Sequence, residues 1–434
     1  MKIPQKPPKF QELLKKESDK IAGLLANKRF MGFVKKCNSE YIPWDKLRYE
    51  KIPDEIRPEY AWMIIKILRM SQFKFLKFDK WSFRYSLLDE FQKKLHFIDK
   101  GTAGLLGSSV DSVSINEKDR KYVISSLMEE AIASSQLEGA VTTRRVAKEL
   151  LRSNKKPKNY SEWMIVNGYK TMRKIVERKD EMLTPEMILE LHKEITENTL
   201  KHKRYEGTFR DNNNVVVGDL SDVTTIYHQP PDYKEIPRLI EQLCTFANTD
   251  TSEFIHPIIK GIVLHFLVGY IHPFEDGNGR LARTLFYWYA ITKGYWLFEL
   301  MAISRIIIRS KTKYGLAYLY TEGDDNDLTY FIKYNLEKIE EAMHDMRSYI
   351  DRKQKEQSEA FDLIKTIKRI NLRQAEILKE IIKNSEKSFR IDEIMNTYNV
   401  VYQTARNDLL HLTDLGYLEK IKSGKRFLFK HKQL

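Results

Sequence analysis

Apolar residues recur at three- and four-residue intervals through most of this chain, and this spacing predicts a mainly α-helical protein. Residues 160–176 and 185–199 follow the pattern, and Pro185 is suited to the first turn of its helix. Within 121–139, steps of four, three, four and three place five residues on one helix face: Ile124, Met128, Ala131, Ser135 and Glu138.

The end of that face is unusual because it carries a carboxylate. We expect Glu138 to continue the inward face and Gly139, a residue that often terminates helices, to end the helix. A carboxylate at a helix C-terminus opposes the helix dipole, and a buried one requires a cation. An arginine partner is therefore expected. The alternative is an ordinary surface glutamate on a frayed last turn.

Two segments in the middle of the chain have the composition of strands. Residues 207–218 and 224–231 are rich in Val, Ile, Thr and Tyr and are bounded by turn residues, so they predict a short hairpin. The C-terminal part predicts a long charged helix over 327–356, and a separate unit comes after it.

In that C-terminal unit, three helices over 372–382, 391–398 and 402–412 precede a hairpin over 419–429 with a basic tip at 423–426. This order resembles a winged helix-turn-helix. In a DNA complex the third helix would enter the major groove. The outward residues of that helix and the basic residues near phosphates would be Thr404, Arg406, Asn407, His411, Lys422, Lys425, Arg426 and Lys430. Residues 371–434 hold 12 Lys and Arg against 8 Asp and Glu, a modest surplus, so protein docking or dimerisation stays open beside DNA.

The segment His272-Pro-Phe-Glu-Asp-Gly-Asn-Gly-Arg-Leu-Ala-Arg283 concentrates chemically active residues. Pro273 and the pair Gly277 and Gly279 predict a loop from His272 to Gly279, and the apolar pattern after it predicts a helix from Arg280 onwards. Backbone N–H groups of a glycine-rich turn that enters a helix form a cradle for anions.

The side chains of this segment suggest phosphate chemistry. Arg280 and Arg283 share one helix face and can reach different oxygens of a polyphosphate. Asp276 could hold Mg²⁺ that bridges the phosphates, and His272 could accept a proton from an attacking hydroxyl. Phe274 is expected to anchor the loop in the core. Each residue alone is compatible with an ordinary surface turn, whereas their combination is not.

The segment resembles the signature of Fic proteins, His-x-Phe-x-Asp/Glu-Gly-Asn-Gly-Arg-x-x-Arg, at every fixed position, and residues 256–265 resemble the buried helix that precedes it. The resemblance implies a Fic-type helical core with a small β-hairpin flap at about 207–229. It also implies transfer of AMP from ATP to a protein hydroxyl. The roles it implies are a base at His272, an Mg²⁺ ligand at Asp276, an anion hole at Gly277, Asn278 and Gly279, and phosphate contacts at Arg280 and, for the γ-phosphate, Arg283.

Residues Ser134 to Gly139 resemble a second Fic motif, the inhibitory helix Ser/Thr-x-x-x-Glu-Gly/Asn. This resemblance implies that Glu138 pairs with Arg283 and takes the place of the ATP γ-phosphate. The likeness of the core to Fic proteins further implies that the flap pairs with an extended target segment and holds a Ser, Thr or Tyr hydroxyl near His272. The sequence therefore predicts an autoinhibited protein adenylyltransferase.

Other functions stay open at this point. The chain is alternatively a DNA-binding regulator whose Fic core senses nucleotide or modifies the protein itself, and the core could remove AMP or use another nucleotide donor. The three predicted parts are a basic N-terminal region over 1–115, a catalytic core over 116–356 and a winged helix over 357–434. A homodimer is also left open.

Charge and composition add limited information. The net charge is +14, and residues 1–100 hold 23 Lys and Arg against 13 Asp and Glu. Aromatic and basic residues alternate over 73–81, which suits either nucleic-acid contact or, as we prefer, a face with Phe and Trp inward and Lys outward. Two cysteines give no disulfide framework, and neither a signal segment nor a bilayer-length apolar run is present. We therefore expect a cytoplasmic protein without membrane contact.

Overall fold

The polypeptide is mainly helical, as the apolar spacing predicts. The computed structural model describes residues 2–102, 117–153, 155–219, 222–250, 253–367, 369–384, 387–423 and 426–432. The helices are, in chain order, α1 Phe10–Glu17, α2 Ile21–Ala26, α3 Lys28–Ser39, α4 Trp44–Leu47, α5 Pro58–Met70, α6 Asp89–Thr102, α7 Glu117–Leu137, α8 Arg144–Arg152, α9 Tyr160–Glu177, α10 Pro185–Thr196, α11 Ile236–Asn248, α12 Pro257–Ile271, α13 Asn278–Thr292, α14 Ile303–Ile307, α15 Lys311–Gly323, α16 Thr329–Thr366, α17 Leu372–Lys383, α18 Ile391–Tyr398 and α19 Tyr402–Asp414.

Strands are short and form three small antiparallel sheets. They are β1 Phe73–Phe78, β2 Trp81–Ser86, β3 Val217–Asp219, β4 Asp222–His228, β5 Ser388–Phe389, β6 Leu418–Ser423 and β7 Arg426–His431. The sheets pair β1 with β2, β3 with β4, and β5, β7 and β6 in that order. Short 3-10 turns lie at Ser18–Lys20, Pro53–Glu55, Lys203–Tyr205, Tyr233–Glu235, Trp296–Leu300 and Ile308–Ser310.

The contacts divide the chain into two compact units. Unit 1 consists of residues 1–104, 174–296 and 306–340, and unit 2 consists of residues 105–173, 297–305 and 341–434. None of the helices in the described part of the chain is long and apolar enough to cross a bilayer.

Within unit 1, helices α12 and α13 pack against each other. Residues 258–268 of α12 are buried on every side of the helix, as expected for the element that leads into the loop at His272. Buried polar pairs attach the N-terminal helices to residues near the end of α15. Lys66 Nζ lies 2.7 Å from Asp324 Oδ1, and Tyr41 donates a hydrogen bond of 2.6 Å to Asp327 Oδ2.

In unit 2, helices α7, α8 and α9 share an apolar cluster that contains Met128, Ile132, Ala147, Leu151 and Ile165. The C-terminal part has the predicted three helices and hairpin, and residues from α17, α18, α19 and the sheet form one core. Helix α17 begins with a capping box between Asn371 and Gln374, which accounts for its sharp start. The tip residues 424 and 425 of the predicted hairpin lie outside the described residues.

Two predictions about strands were wrong. The first flap strand begins at Val217 rather than at 207, because asparagine side chains take the hydrogen bonds that a strand would need. The N–H of Asn214, for example, donates to Asn212 Oδ1 at 2.9 Å. In β1, Phe75 is 68% exposed beside the exposed Lys77, so the aromatic residues of this strand do not all face inward.

Candidate active site

The loop between α12 and α13 is fixed by unusual backbone conformations at both of its ends. His272 has φ of 49° and caps α12, and Gly277 has φ of 85° and caps α13. A Cβ atom on Gly277 would lie 2.9 Å from Thr196 Cγ2 and 3.2 Å from His192 Nε2, so both the conformation and the space require glycine. Helix α13 begins at Asn278, two residues before the predicted start, and Gly279 therefore belongs to its first turn.

Asn278 holds the loop closed with its side chain. The N–H of Phe274 donates to Asn278 Oδ1 at 3.0 Å, and Asn278 Nδ2 donates to the Phe274 carbonyl at 2.8 Å. The side chain is thus committed to the loop itself. The groups left for an anion are the backbone N–H groups of the first turn of α13, which have no partner within the helix.

His272 presents one defined ring nitrogen as a donor. Its Nδ1 lies 3.2 Å from the carbonyl oxygen of Gly269, so the neutral ring carries its hydrogen on Nδ1 and donates it to that carbonyl. This geometry assigns the lone pair to Nε2, which is the arrangement that a general base requires.

Arg280 is a buried cation with donor capacity to spare. The residue is 3% exposed, and Nη1 donates to the Ile195 carbonyl at 2.9 Å. Its Nε and Nη2 have no hydrogen-bond partner among the described residues, and the nearest carboxylate oxygen, Asp276 Oδ2, lies 3.8 Å from Nη2. Buried guanidinium donors in this state are suited to phosphate oxygens.

Asp276 lies beside these donors with its side chain 49% exposed. The N–H of Gly277 donates to Asp276 Oδ1. Within the described ranges no three His, Cys, Asp or Glu side chains form a metal-binding group. A single carboxylate nevertheless suits Mg²⁺, which usually keeps several water ligands and binds through one or two carboxylates together with substrate phosphates.

Arg283, one turn further along α13, is 3% exposed and lies near the buried aromatic groups of unit 1. Burial lowers the pKa of His265 to about 3, and the charge of Arg283 acts in the same direction. The same charge opposes the rise that burial gives to the pKa of Tyr318. The charge of Arg283 therefore lies close enough to His265 of α12 and Tyr318 of α15 to influence both.

His192 and Arg210 also hold the loop, and the sequence did not identify either of them. His192 is fully buried on α10, and its ring stacks on Phe274 with centroids 3.6 Å apart, which confirms that Phe274 anchors the loop. Arg210 donates from Nε to the His272 carbonyl at 3.0 Å, and its own N–H donates to the Pro273 carbonyl at 3.0 Å. Both side chains form hydrogen bonds with backbone carbonyls that are far away in sequence. Because every residue has a backbone carbonyl, no sequence pattern indicates which one is the partner.

The hairpin of β3 and β4 is attached near the same loop. In β4, His228 Nε2 lies 2.8 Å from the carbonyl oxygen of Tyr270, and Nδ1 lies 2.7 Å from Glu322 Oε2. Tyr270 stands two positions before His272 in the chain, and His228 is the last residue of β4. This attachment places the base of the predicted flap at the end of α12.

The predicted inhibitory motif lies at a helix end in unit 2. Helix α7 ends at Leu137, and Gly139 has φ of 96°, which confirms its predicted role as the terminator. Glu138 is exposed, so the prediction that it continues the inward face was wrong, because the helix ends one residue before it. Ser134 lies in the last turn of α7. The pairing of Glu138 with Arg283 stays a prediction.

Comparison with known proteins identifies two domains. Residues 182–290 match the Fic/DOC family, and residues 373–430 match a DeoR-like helix-turn-helix domain. The first stretch contains α10 to α13 with the loop, and the second contains α17 to α19 with the hairpin of β6 and β7.

Among curated relatives, the Protein adenylyltransferase Fic of Nematostella vectensis is 26% identical over 157 residues, 36% of this chain and 32% of that protein. The Protein adenylyltransferase Fic of Drosophila melanogaster is 32% identical over 114 residues, 26% of this chain and 21% of that protein. The chain thus spans a third or less of these relatives. The structure of Fic-1 (aa134 - 508) from C. elegans has a TM-score of 0.51 at 14% identity, covering 80% of this chain and 90% of that one, which shows a shared fold.

Proposed function

We propose that this chain, which carries a Fic/DOC domain over residues 182–290 and a DeoR-like helix-turn-helix domain over residues 373–430, transfers AMP from ATP to a hydroxyl side chain of a protein. The observation that carries the proposal is the arrangement around the loop. A histidine with its lone pair on Nε2 and a buried arginine with two uncommitted donor atoms flank the N-terminus of α13.

In the proposed reaction, His272 Nε2 accepts the proton of the target hydroxyl. The hydroxyl oxygen forms a bond to the α-phosphorus of ATP, the bond from that phosphorus to the bridging oxygen breaks, and pyrophosphate leaves. The first N–H groups of α13 and the guanidinium of Arg280 bind the phosphate oxygens, while Arg283 takes the γ-phosphate. Phosphoryl-type transfer depends mainly on such positioning and charge neutralisation.

The substrate complex is proposed to include Mg²⁺ held by Asp276. When bound, the ion neutralises phosphate charge and orients the leaving group. Asp276 suits this role because its carboxylate is half-exposed and lies on the same turn as the anion-binding N–H groups.

Restraint by Glu138 is part of the proposal and rests on the likeness of Ser134, Glu138 and Gly139 to the inhibitory motif. The test compares three forms of the full chain: wild type, Glu138→Gly, and Glu138→Gly with His272→Ala. Each is incubated with Mg·ATP and cell lysate, and protein-bound AMP is measured by mass spectrometry. We expect adducts with the single variant, fewer with wild type, and a loss of about 10²- to 10⁴-fold without the base.

Equal labelling by wild type and Glu138→Gly would contradict the restraint, and labelling that survives the loss of His272 would contradict its role as base. Adducts that arise only with another nucleotide would replace ATP as donor. If an AMP-modified protein instead loses its AMP in the presence of the wild-type chain, the reaction runs in the direction of AMP removal.

A second function is supported by the match to a DeoR-like helix-turn-helix domain. We propose that α19 contacts DNA through its outward residues, with Lys422 and Lys430 of the hairpin near phosphates. The first turn of α19 is accessible, since Val401 and Tyr402 are 69% and 55% exposed. The full chain should shift random-sequence DNA duplexes at low salt, and Arg406→Ala with Lys422→Ala should weaken binding and reduce its salt dependence. Absence of binding at low salt would favour protein docking.

A further inference from the structure

We propose that His192 is a positioning residue for AMP transfer, because its ring joins the segment that leads into the flap to the loop that carries the active groups. The inference deepens the proposed function and rests on it. No part of the signature over 272–283 includes this residue, which lies on α10, far away in sequence from the loop.

The two ring nitrogens of His192 make two different bonds. The N–H of Gly207 donates to Nδ1 at 3.1 Å, so Nδ1 carries the lone pair. The hydrogen of the neutral ring is then on Nε2, which donates to the carbonyl oxygen of Asp276 at 2.8 Å. One ring therefore fixes the peptide group between Asp276 and Gly277 and, at the same time, the turn at Gly207.

The surroundings hold this ring in one orientation. His192 is fully buried, and its ring plane lies 6° from that of Phe274. Gly277 approaches so closely that a Cβ atom there would lie 3.2 Å from His192 Nε2. Burial lowers the pKa of His192 to about 4, which agrees with a neutral ring that accepts on one side and donates on the other.

The bond to the Asp276 carbonyl matters for the reaction because this carbonyl lies next to the proposed phosphate donors. Its peptide group leads directly to Gly277 and to the first N–H groups of α13. The next turn of α10 also supplies the Ile195 carbonyl that orients Arg280. A displacement of about 1 Å at this point is expected to lower the rate by about 100-fold.

Two substitutions separate the two bonds. His192→Gln places an amide near the Nε2 position and can keep the donor to the Asp276 carbonyl. His192→Asn places its amide near Nδ1 and can keep only the acceptor for Gly207. Both are introduced into the Glu138→Gly chain, and His202→Asn, an exposed histidine shortly after the same helix, is the matched control.

We expect His192→Asn to lower kcat for AMP transfer by about 10- to 100-fold and to raise the Mg²⁺ concentration needed for half-maximal rate. His192→Gln should recover most of the rate, and His202→Asn should match the parent. A loss of rate in both His192 variants that parallels a lower Tm would assign His192 a purely structural role. Parent-like rates in both variants would also overturn the proposal.

Amide hydrogen exchange provides a readout that does not require activity. Peptides that cover residues 272–279 should exchange faster in His192→Asn than in His192→Gln, while peptides of α12 stay protected. If no variant transfers AMP but this difference appears, the positioning role holds and the proposed function fails. Equal exchange in both variants contradicts the positioning role, whatever the activity.

Discussion

The loop that carries His272 and the turn that carries Glu138 are constructed in different ways. The loop is closed by side chains that bond to its backbone, from Asn278 at the start of α13 and from His192 and Arg210 further away in the chain. The turn at Glu138 is exposed, and nothing packs within 4 Å of the position where a Cβ on Gly139 would lie. The chain after Glu138 is also bonded, since Gln136 Nε2 donates to the Thr142 carbonyl and the N–H of Val141 donates to Ser161 Oγ, each at 2.9 Å. The difference is one of exposure: the loop is largely buried apart from Asp276, whereas Glu138 and Gly139 are exposed at a chain reversal.

The two regions also differ in the elements that support them. The loop belongs to unit 1 and to the Fic/DOC match, together with the helices that hold it. Helix α7 before Glu138 belongs to unit 2 and packs with α8 and with α18 of the helix-turn-helix domain. Asn396 of α18 donates a hydrogen bond to the Arg152 carbonyl at the end of α8. A change in the helix-turn-helix domain is therefore expected to affect the Glu138 segment before it affects the loop.

The largest effect is predicted for Gly277→Ala. The left-handed backbone costs about 1–2 kcal/mol for an alanine, and contact with the Thr196 methyl adds to this cost. We expect a lower Tm and a loss of AMP transfer beyond about 100-fold. Gly294→Ala is the control for both measurements, and Gly139→Ala is a second control for stability alone because Gly139 belongs to the proposed inhibitory motif. Both glycines have similar φ values and open space, so chemical denaturation should show only the backbone cost. Equal losses of stability in all three variants would contradict the tight closure of the loop.

The sequence predicts residues that are consecutive in the chain better than it predicts contacts between distant segments. The groups proposed for chemistry lie in one short stretch of consecutive residues, so the signature alone is enough to propose His272, Asp276 and Arg280. The partners of His192 and Arg210 in the loop are backbone carbonyls 84 and 62 positions away, and backbone groups leave no trace in the residue types. Those contacts became visible only with the fold.

Helices were predicted more accurately than strands for a physical reason. Long periodic segments such as α9 and α19 depend on many residues, and their bounds differ from the prediction by only one or two positions. The first flap strand depends on a few valines, and neighbouring asparagines form local hydrogen bonds that compete with pairing. The exposure of Glu138 was mispredicted because α7 ends at Leu137, and a difference of one residue in the helix end removes Glu138 from the buried face.

An intermediate effect is predicted for Arg144→Ala, which acts only on the Glu138 side of the comparison. Burial alone would raise the pKa of Glu129, but hydrogen bonds from Arg144 and Lys148 hold it below its ordinary value. Removal of Arg144 leaves the carboxylate, whose side chain is 8% exposed, with Lys148 alone, so we expect a loss of about 1–2 kcal/mol.

Amide hydrogen exchange should then become faster in peptides from α7 and α8 and stay unchanged over 272–283, and AMP transfer should rise as the Glu138 segment becomes less ordered. Lys155→Ala, which removes an exposed pair with Glu149, is the control. Faster exchange in the loop as well would show that the two regions are not independent.

The smallest effect at neutral pH concerns the pH dependence of unit 1. His265 is buried, its Nε2 lies 2.7 Å from the Tyr314 hydroxyl, and its pKa falls to about 3. Between pH 6.5 and about 3 the unfolded chain binds more protons at this residue than the folded chain, so the free energy of unfolding decreases as the pH falls. One such group contributes at most about 1.4 kcal/mol per pH unit. His265→Gln should remove this contribution to the slope of the free energy of unfolding against pH, measured by urea unfolding between about pH 7 and 5. If the slope stays unchanged, His265 takes up its proton in the folded protein as readily as in the unfolded chain, which contradicts the lowered pKa.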